Sequence, residues 1–156
     1  MKATLKNIEA AFAGESMAHI KYLYFAKQCR IAGDEATAKV FEDTAAQEIA
    51  HALGHLDLLL PPGDLSPAKC LEIAIEGETR EYSEMYPEFM RTARAEGMQA
   101  AADEMGSQIE ESREHAGRFR EILKKAEKRF SALARVEEKH AAHYRDALEN
   151  VVGRAS

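Results

Sequence analysis

A glutamate and a histidine three positions apart occur twice in the chain, as Glu48-Ile49-Ala50-His51 and as Glu137-Glu138-Lys139-His140. On a helix, residues three apart share a face, so each pair can bring a carboxylate and an imidazole to one point. The surrounding residues identify that face. Phe41, Thr44, Glu48, His51, His55 and Leu58 recur at spacings of three and four, as do Phe130, Leu133, Glu137, His140, Tyr144 and Leu148. In both runs the ionisable pair stands where an apolar stripe is expected, and an unpaired carboxylate there is costly. A bound cation is the simplest way to neutralise such groups. One Glu-x-x-His in a glutamate-rich chain carries little weight; two on apolar stripes carry more.

The elements that must position these residues are helices. The 156-residue chain has four Pro, nine Gly and no Trp, and suits one domain, 1–156, with a sizeable core. A first helix is predicted from Leu5, Ile8, Phe12, Glu15, Tyr22, Phe25 and Cys29, ending at Gly33. Asp34 can cap a second helix running to about Leu60. The break Pro61-Pro62-Gly63-Asp64-Leu65-Ser66-Pro67 leads to a third helix with Ser66 as its cap and Pro67 at its first position. Pro87 falls inside that pattern and predicts a kink. Beyond it the helix ends either at Gly97 or at Gly106, the latter with Ser107-Gln108-Ile109-Glu110 as a capping box. The expected fold class is an all-α four-helix bundle. An extended or additional helical segment, about 98–126, lies between the third helix and the one bearing Glu137 and His140.

The chain also repeats itself. Glu9-Ala10-Ala11-Phe12-Ala13-Gly14-Glu15-Ser16 parallels Glu72-Ile73-Ala74-Ile75-Glu76-Gly77-Glu78-Thr79, which suggests two helix pairs around one site. In this alignment Glu81 faces Ala18, so the second half carries one carboxylate more. Glu15, Glu48, His51, Glu78, Glu137 and His140 thus supply four carboxylates and two imidazoles. This is the ligand pattern of ferritin-like di-iron and di-manganese proteins. Four carboxylates offset two divalent cations, and imidazole suits iron better than magnesium or calcium.

Ala13-Gly14-Glu15-Ser16, Gln47-Glu48-x-x-His51, Gly77-Glu78-x-x-Glu81-Tyr82 with Glu84-Met85-Tyr86-Pro87, and Glu137-x-x-His140 together resemble the rubrerythrins, over most of residues 5–94 and 127–150. The resemblance implies a non-haem di-iron peroxidase that reduces hydrogen peroxide to water, one electron coming from each iron. It implies two iron ions per site, with Fe/Mn or Fe/Zn pairs as variants. The residue matching Glu81 would bind the oxidised metal and the one matching His51 would take over on reduction. Tyr22 and Tyr86 match tyrosines beside the cluster, or are ordinary core aromatics. The alternative function is a ferroxidase or iron-storage protein of the same fold class.

Two departures from the family pattern stand out. Cys29 and Cys70 form no C-x-x-C pair, so no rubredoxin-type iron site is expected and the electrons must come from an external donor, rubredoxin-like or another reductase. Both thiols are expected buried and reduced. The second departure is about 25 extra residues before Glu137. His115 falls where the family's last histidine is expected, but Ser112 stands in place of the glutamate, so the intact motif at Glu137 and His140 is the expected ligand pair. Glu110, Glu111, Glu114 and His115 are then a solvated face or, as an alternative, a second metal site. His19, His55 and His143 lie within two turns of proposed ligands.

A net charge of −6 without a basic block argues against nucleic acid. No apolar run approaches membrane-spanning length and no signal-peptide core is present, so a cytoplasmic protein with no membrane association is expected. Assembly follows from reach. The ends of the second and third helices would lie roughly 30 Å apart along a parallel pair, at about 1.5 Å per residue. The linker from Leu60 to Pro67 spans at most about 25 Å. A domain-swapped homodimer avoids the difficulty, each site taking Glu15, Glu48 and His51 from one chain and Glu78, Glu81, Glu137 and His140 from the other.

Overall fold

The structure, a computed structural model, describes residues 2–152, and the side chains of 2–145. Leu148, expected on the second apolar stripe, has its side chain outside that range. All regular structure among the described residues is helical: α1 (Ala3–Ile31), α2 (Glu35–Leu59), α3 (Pro67–Arg80), α4 (Tyr86–Ala95) and α5 (Gln99–Val152). A 3₁₀ turn occupies Pro62–Asp64 and a π-helical turn occupies Glu81–Met85. The chain divides into two compact units, Met1–Leu65 and Ser66–Ser156.

The first unit is the antiparallel pair α1 and α2. Gly33 ends α1 at φ +83°, a conformation that costs other residues a Cβ clash. Asp34 then caps α2, its Oδ1 accepting the Thr37 N–H at 2.9 Å. Alanines permit the close approach of the two helices. Ala38, Ala45 and Ala52 recur seven apart along α2 and are fully buried, as is Ala26 of α1. Where only methyl groups lie between them, helix axes can come near the lower end of the usual spacing, about 8–10 Å. His19 reinforces the contact by donating from Nδ1 to the carbonyl of Ala45 at 2.8 Å. Arg30 joins Glu35 and Glu42 at the turn, with Nη1 to Glu42 Oε1 at 2.5 Å. These exposed ion pairs add little stability.

The second unit packs α3 and α4 against the first half of α5. Ser66 caps α3 as expected, accepting the Lys69 N–H at 3.1 Å, and Pro67 follows at the first helical position. The kink expected at Pro87 takes the form of the π turn. Proline lacks an N–H and crowds the carbonyl four residues back, here Ser83. The wide turn just before it accommodates the mismatch, and the Tyr86 N–H reaches back five residues to Glu81 O. Gly97, at φ +73°, makes the turn into α5. The alternative start at Ser107 is not used, because Gly106 and Ser107 lie inside α5 and Ser107 Oγ donates to Asp103 O at 3.3 Å. The extended segment expected over 98–126 is the first half of α5, continuous with the helix bearing Glu137 and His140. Ala102, Ile109, Ser112 and Ala116 are its buried residues, whereas Phe130, Leu133 and Tyr144 are exposed.

Neither unit buries a large side chain completely among the described residues, and Met17, Ile20, Val40 and Leu53 remain more than half exposed. The cysteines depart from expectation too: Cys29 is only half-buried and Cys70 is exposed, because each lies toward the outer side of its helix; both are free thiols. No described helix is long and apolar enough to cross a membrane.

Gly33→Ala should destabilise the protein by roughly 1–2 kcal/mol. Nothing lies within 4 Å of the added methyl, so the cost is backbone conformation alone. Denaturant unfolding of the two proteins side by side checks this; equal midpoints would show that the turn relaxes without strain.

Candidate metal centre

In the first unit, Glu15 on α1 and Glu48 and His51 on α2 bring one ligand atom each to within 4.8 Å of one another. Among the described residues this is the group of three His, Cys, Asp or Glu side chains that converges in this way. The helix geometry that set Glu48 and His51 on one face places Nδ1 of His51 3.2 Å from Glu48 Oε2. Glu15 and Glu48 are half-buried, while His51 is exposed. Two carboxylates this close cannot both ionise freely. Glu15 is accordingly held above the usual carboxylate range, first by its hydrogen bond with Glu48, then by burial and by the Glu48 charge; His51 and His55 oppose the shift.

The second unit holds a related cluster on α3, the π turn and α5. Glu78 Oε1 lies 3.3 Å from His115 Nδ1. Its other oxygen, Oε2, is buried with no hydrogen-bond partner. Glu81, the first residue of the π turn, accepts a hydrogen bond on Oε2 from Ser112 Oγ at 3.0 Å. Ser112 itself is 3% exposed. Tyr86 is half-buried beside this cluster, and its phenol is pushed up by burial and then by the charges of Glu81 and Glu78. Neighbouring Tyr82 is drawn the other way by hydrogen bonds with Arg120 and Thr79.

Each cluster has a feature a cation would relieve: two carboxylates close together in one, an unpartnered buried carboxylate oxygen in the other. The donor set is carboxylate and imidazole in both, which suits first-row transition metals. Among the described residues, Glu15, Glu48 and His51 are the group whose ligand atoms converge closely enough that they could hold a metal ion; Glu78, Glu81 and His115 offer the same donor types in the second unit.

The last expected ligand pair is placed apart from the cluster at Glu78. Glu137 and His140 lie on exposed helix, with side chains 78% and 61% accessible, and their closest approach is 4.0 Å to each other. They stand about 38 Å farther along α5 than Ser112 and His115, at about 1.5 Å per residue. A continuous helix cannot offer both segments to Glu78 of the same chain. The residue facing Glu78 is His115, which the sequence reading had passed over because its motif lacks a glutamate. A signal for it does exist in the sequence. Ala102, Ile109 and Ala116 repeat the seven-residue spacing of Ala38, Ala45 and Ala52 sixty-four positions later, and that register sets His115 against His51 and Ser112 against Glu48.

Of the other candidates, Tyr22 packs with Phe41 and Phe25, at ring-centroid distances of 5.8 and 6.4 Å. His55 is near enough to Glu15 to influence its ionisation. His19 is a helix-to-helix tie and His143 stacks near Tyr144. Glu110 pairs with Arg113 and His115 with Glu78, so Glu110, Glu111, Glu114 and His115 do not gather into a separate site.

His115→Ala should lower metal affinity at least tenfold in a cobalt(II) titration, whereas His140→Ala should leave it unchanged. The reverse pattern would return the ligand role to the far end of α5.

The family model for Rubrerythrin matches residues 6–61 and 57–123, a span that includes Ser112 and His115 and stops short of Glu137. Nigerythrin from Nitratidesulfovibrio vulgaris is 40% identical over 107 residues, covering 61% of this chain and 53% of that one. The rubrerythrin of the same organism is 38% identical over 127 residues, with 74% and 66% covered. The rubrerythrin of Porphyromonas gingivalis is 34% identical over 131 residues, with 77% and 66% covered. The chain thus spans between about half and two thirds of these relatives' lengths. A solved structure of nigerythrin in the fully reduced, all-ferrous state is 34% identical, covers 81% of this chain and 69% of that one, and superposes with a TM-score of 0.41. With the all-α, ferritin-like reading of the fold goes a plain assignment: the chain belongs to the rubrerythrin family.

Proposed function

We propose that the protein is a non-haem di-iron peroxidase that reduces hydrogen peroxide to water with electrons from an external donor. The observation that carries this reading is the convergence of Glu15, Glu48 and His51 on one point, with Glu78, Glu81 and His115 as its counterpart in the second unit. When bound, an iron pair supplies two electrons, one from each ion, which with two protons convert hydrogen peroxide to two waters.

The protein's own residues hold and neutralise. Two half-sites together provide four carboxylates and two imidazoles, a balance suited to two divalent ions. Cations bound there would favour the ionised form of the carboxylates that hold them. The Tyr86 phenol is kept protonated by burial and by the Glu81 and Glu78 charges, and so can donate a hydrogen bond to an oxygen ligand. Tyr22 packs with Phe25 and Phe41 in an aromatic cluster of the same helix pair.

The half-sites are joined in a domain-swapped homodimer, the first helix pair of one chain meeting the second of its partner. Two observations support this. The exposed Met17, Ile20, Val40 and Leu53 are apolar side chains that the helices of a partner chain would cover. The linker after α2 is also shortened by its 3₁₀ turn, which rises only about 2.0 Å per residue.

Mixing the anaerobic, Fe(II)-loaded protein with hydrogen peroxide or with oxygen in a stopped-flow instrument tests the activity. Oxidation is expected to be at least tenfold faster with peroxide and to form no mineral. Faster reaction with oxygen and growth of a ferric core would instead identify a ferroxidase.

The assembly has its own test. Glu48→Ala and Glu78→Ala chains, each inactive alone, should regain about half the specific activity of wild type per heterodimer after co-refolding, because one of the two swapped sites is then intact. No recovery in verified heterodimers would mean that each chain completes its own site.

A further inference from the structure

Resting on the proposed redox function, we infer that one flank of α5, from Arg113 to Arg135, is the docking surface for a small acidic protein that delivers electrons. Contrary to the expectation of no basic block, residues 118–135 carry seven of the chain's 21 Lys and Arg against two Glu. The other positions hold 14 basic and 25 acidic side chains, so the block stands out within a strongly acidic protein. All seven cations are exposed. Among the described residues none of the seven is held in an ion pair. Like charges gathered in this way repel one another, and an oppositely charged partner relieves them.

Helix periodicity sets much of this charge on one flank. Arg113, Arg120, Lys124, Lys128 and Arg135 follow one another at spacings of seven, four, four and seven, and so share a side of α5. Phe130 and Leu133 lie on roughly the opposite side, at about 3.6 residues per turn, which leaves the flank without a large apolar residue. Its near end is fastened beside the second half-site. Arg113 lies over the Tyr82 ring, 5.6 Å from the centroid, and Arg120 Nη2 donates to Thr79 Oγ1 at 2.6 Å. Tyr82 directly follows Glu81, and Arg113 directly follows Ser112, whose hydroxyl donates to Glu81. A partner seated at this end is therefore one residue away from the cluster. Arg113 is also paired with Glu110, so the open cations are the four that follow it.

Length and composition select the kind of partner. The flank runs roughly 33 Å at about 1.5 Å per residue, the width of a small domain. A nucleic acid or a membrane extending past it would meet segment 66–117, which has 12 Asp and Glu against five Lys and Arg. A compact acidic protein meets the cations alone. A flank of charged side chains without an apolar centre suits a small, transient, electrostatically steered contact, the kind that electron-transfer partners make. The need for a donor belongs to the proposed function; the place and the charge of its docking come from this flank.

Binding, measured apart from turnover, tests the inference. The probe is an oxidised rubredoxin of net negative charge, titrated calorimetrically into the full chain after incubation with Fe(II). Wild-type affinity should fall about tenfold or more between about 0.01 and 0.1 M salt, as the Debye length shortens from about 30 to about 10 Å. Lys124→Glu with Lys128→Glu and Arg135→Glu should weaken binding about tenfold or more at low salt. Lys2→Glu with Lys6→Glu and Lys27→Glu changes the net charge equally in the first unit, and should stay within about twofold of wild type. No binding by wild type, or equal losses in the two triple variants, overturns the inference. So does tighter flank-dependent binding of duplex DNA or of phosphatidylserine vesicles. A change of oligomeric state confined to the α5 variant also overturns it, because the flank would then serve a second copy of the chain. Should the charge-reversed chain lose helicity, Lys124→Gln with Lys128→Gln and Arg135→Gln decides: about threefold weaker binding supports, unchanged affinity overturns. Rubredoxin bound on this flank by a chain that holds no iron supports the docking surface and rejects the peroxidase reading, so the two fail separately.

Discussion

Carboxylates placed on the apolar side of a helix are the constraint around which this chain is arranged. Glu15 and Glu48 converge on one point, and Glu15 is held above the usual carboxylate range by its hydrogen bond with Glu48. In the second unit the same conflict surfaces as a carboxylate oxygen of Glu78 buried without a partner. Neither arrangement favours the metal-free chain. Burial raises the cost of each negative charge, and only a cation or a proton removes it. Helices that hold like charges together do so at the expense of their own stability, as is common where function requires such convergence.

Small residues make that convergence possible. With methyl groups at every seventh position, α1 and α2 lie close enough for side chains as short as glutamate and histidine to meet between them. The arrangement leaves a thin core. Large apolar side chains such as Ile20 and Val40 stay exposed, and among the described residues no large side chain is wholly enclosed. A helix pair of this kind gains little from burial by itself and has a face available for further packing.

The second unit meets the same need with different residues. Pro87 forces a wide turn, and that turn begins at Glu81, the residue whose carboxylate is bonded to Ser112. A backbone irregularity and a change of ligand-type residue thus occur together. π turns often appear where a helix must re-aim a functional side chain, and the geometry here follows that rule.

Much of this was written in the sequence. Helix identity, the caps at Asp34 and Ser66, the turn at Gly33 and the disturbance at Pro87 are local matters, decided by spacing and by backbone chemistry within a few residues. Glu15, Glu48 and His51 were legible for the same reason, since a three-residue spacing on one stripe is a local pattern. The partner of Glu78 was not. Choosing between His115 and His140 depends on how far along a 54-residue helix the contact with α3 falls, and both segments have helical periodicity. An intact Glu-x-x-His pointed to the later segment, while packing selects the earlier one, because Ala102, Ile109 and Ala116 can approach α3 and α4 closely. The role of Ser112 was hidden for a related reason. A serine in a helix says nothing about chemistry until the structure shows which carboxylate lies across from it, and that is a distance between elements, set by packing rather than by sequence spacing.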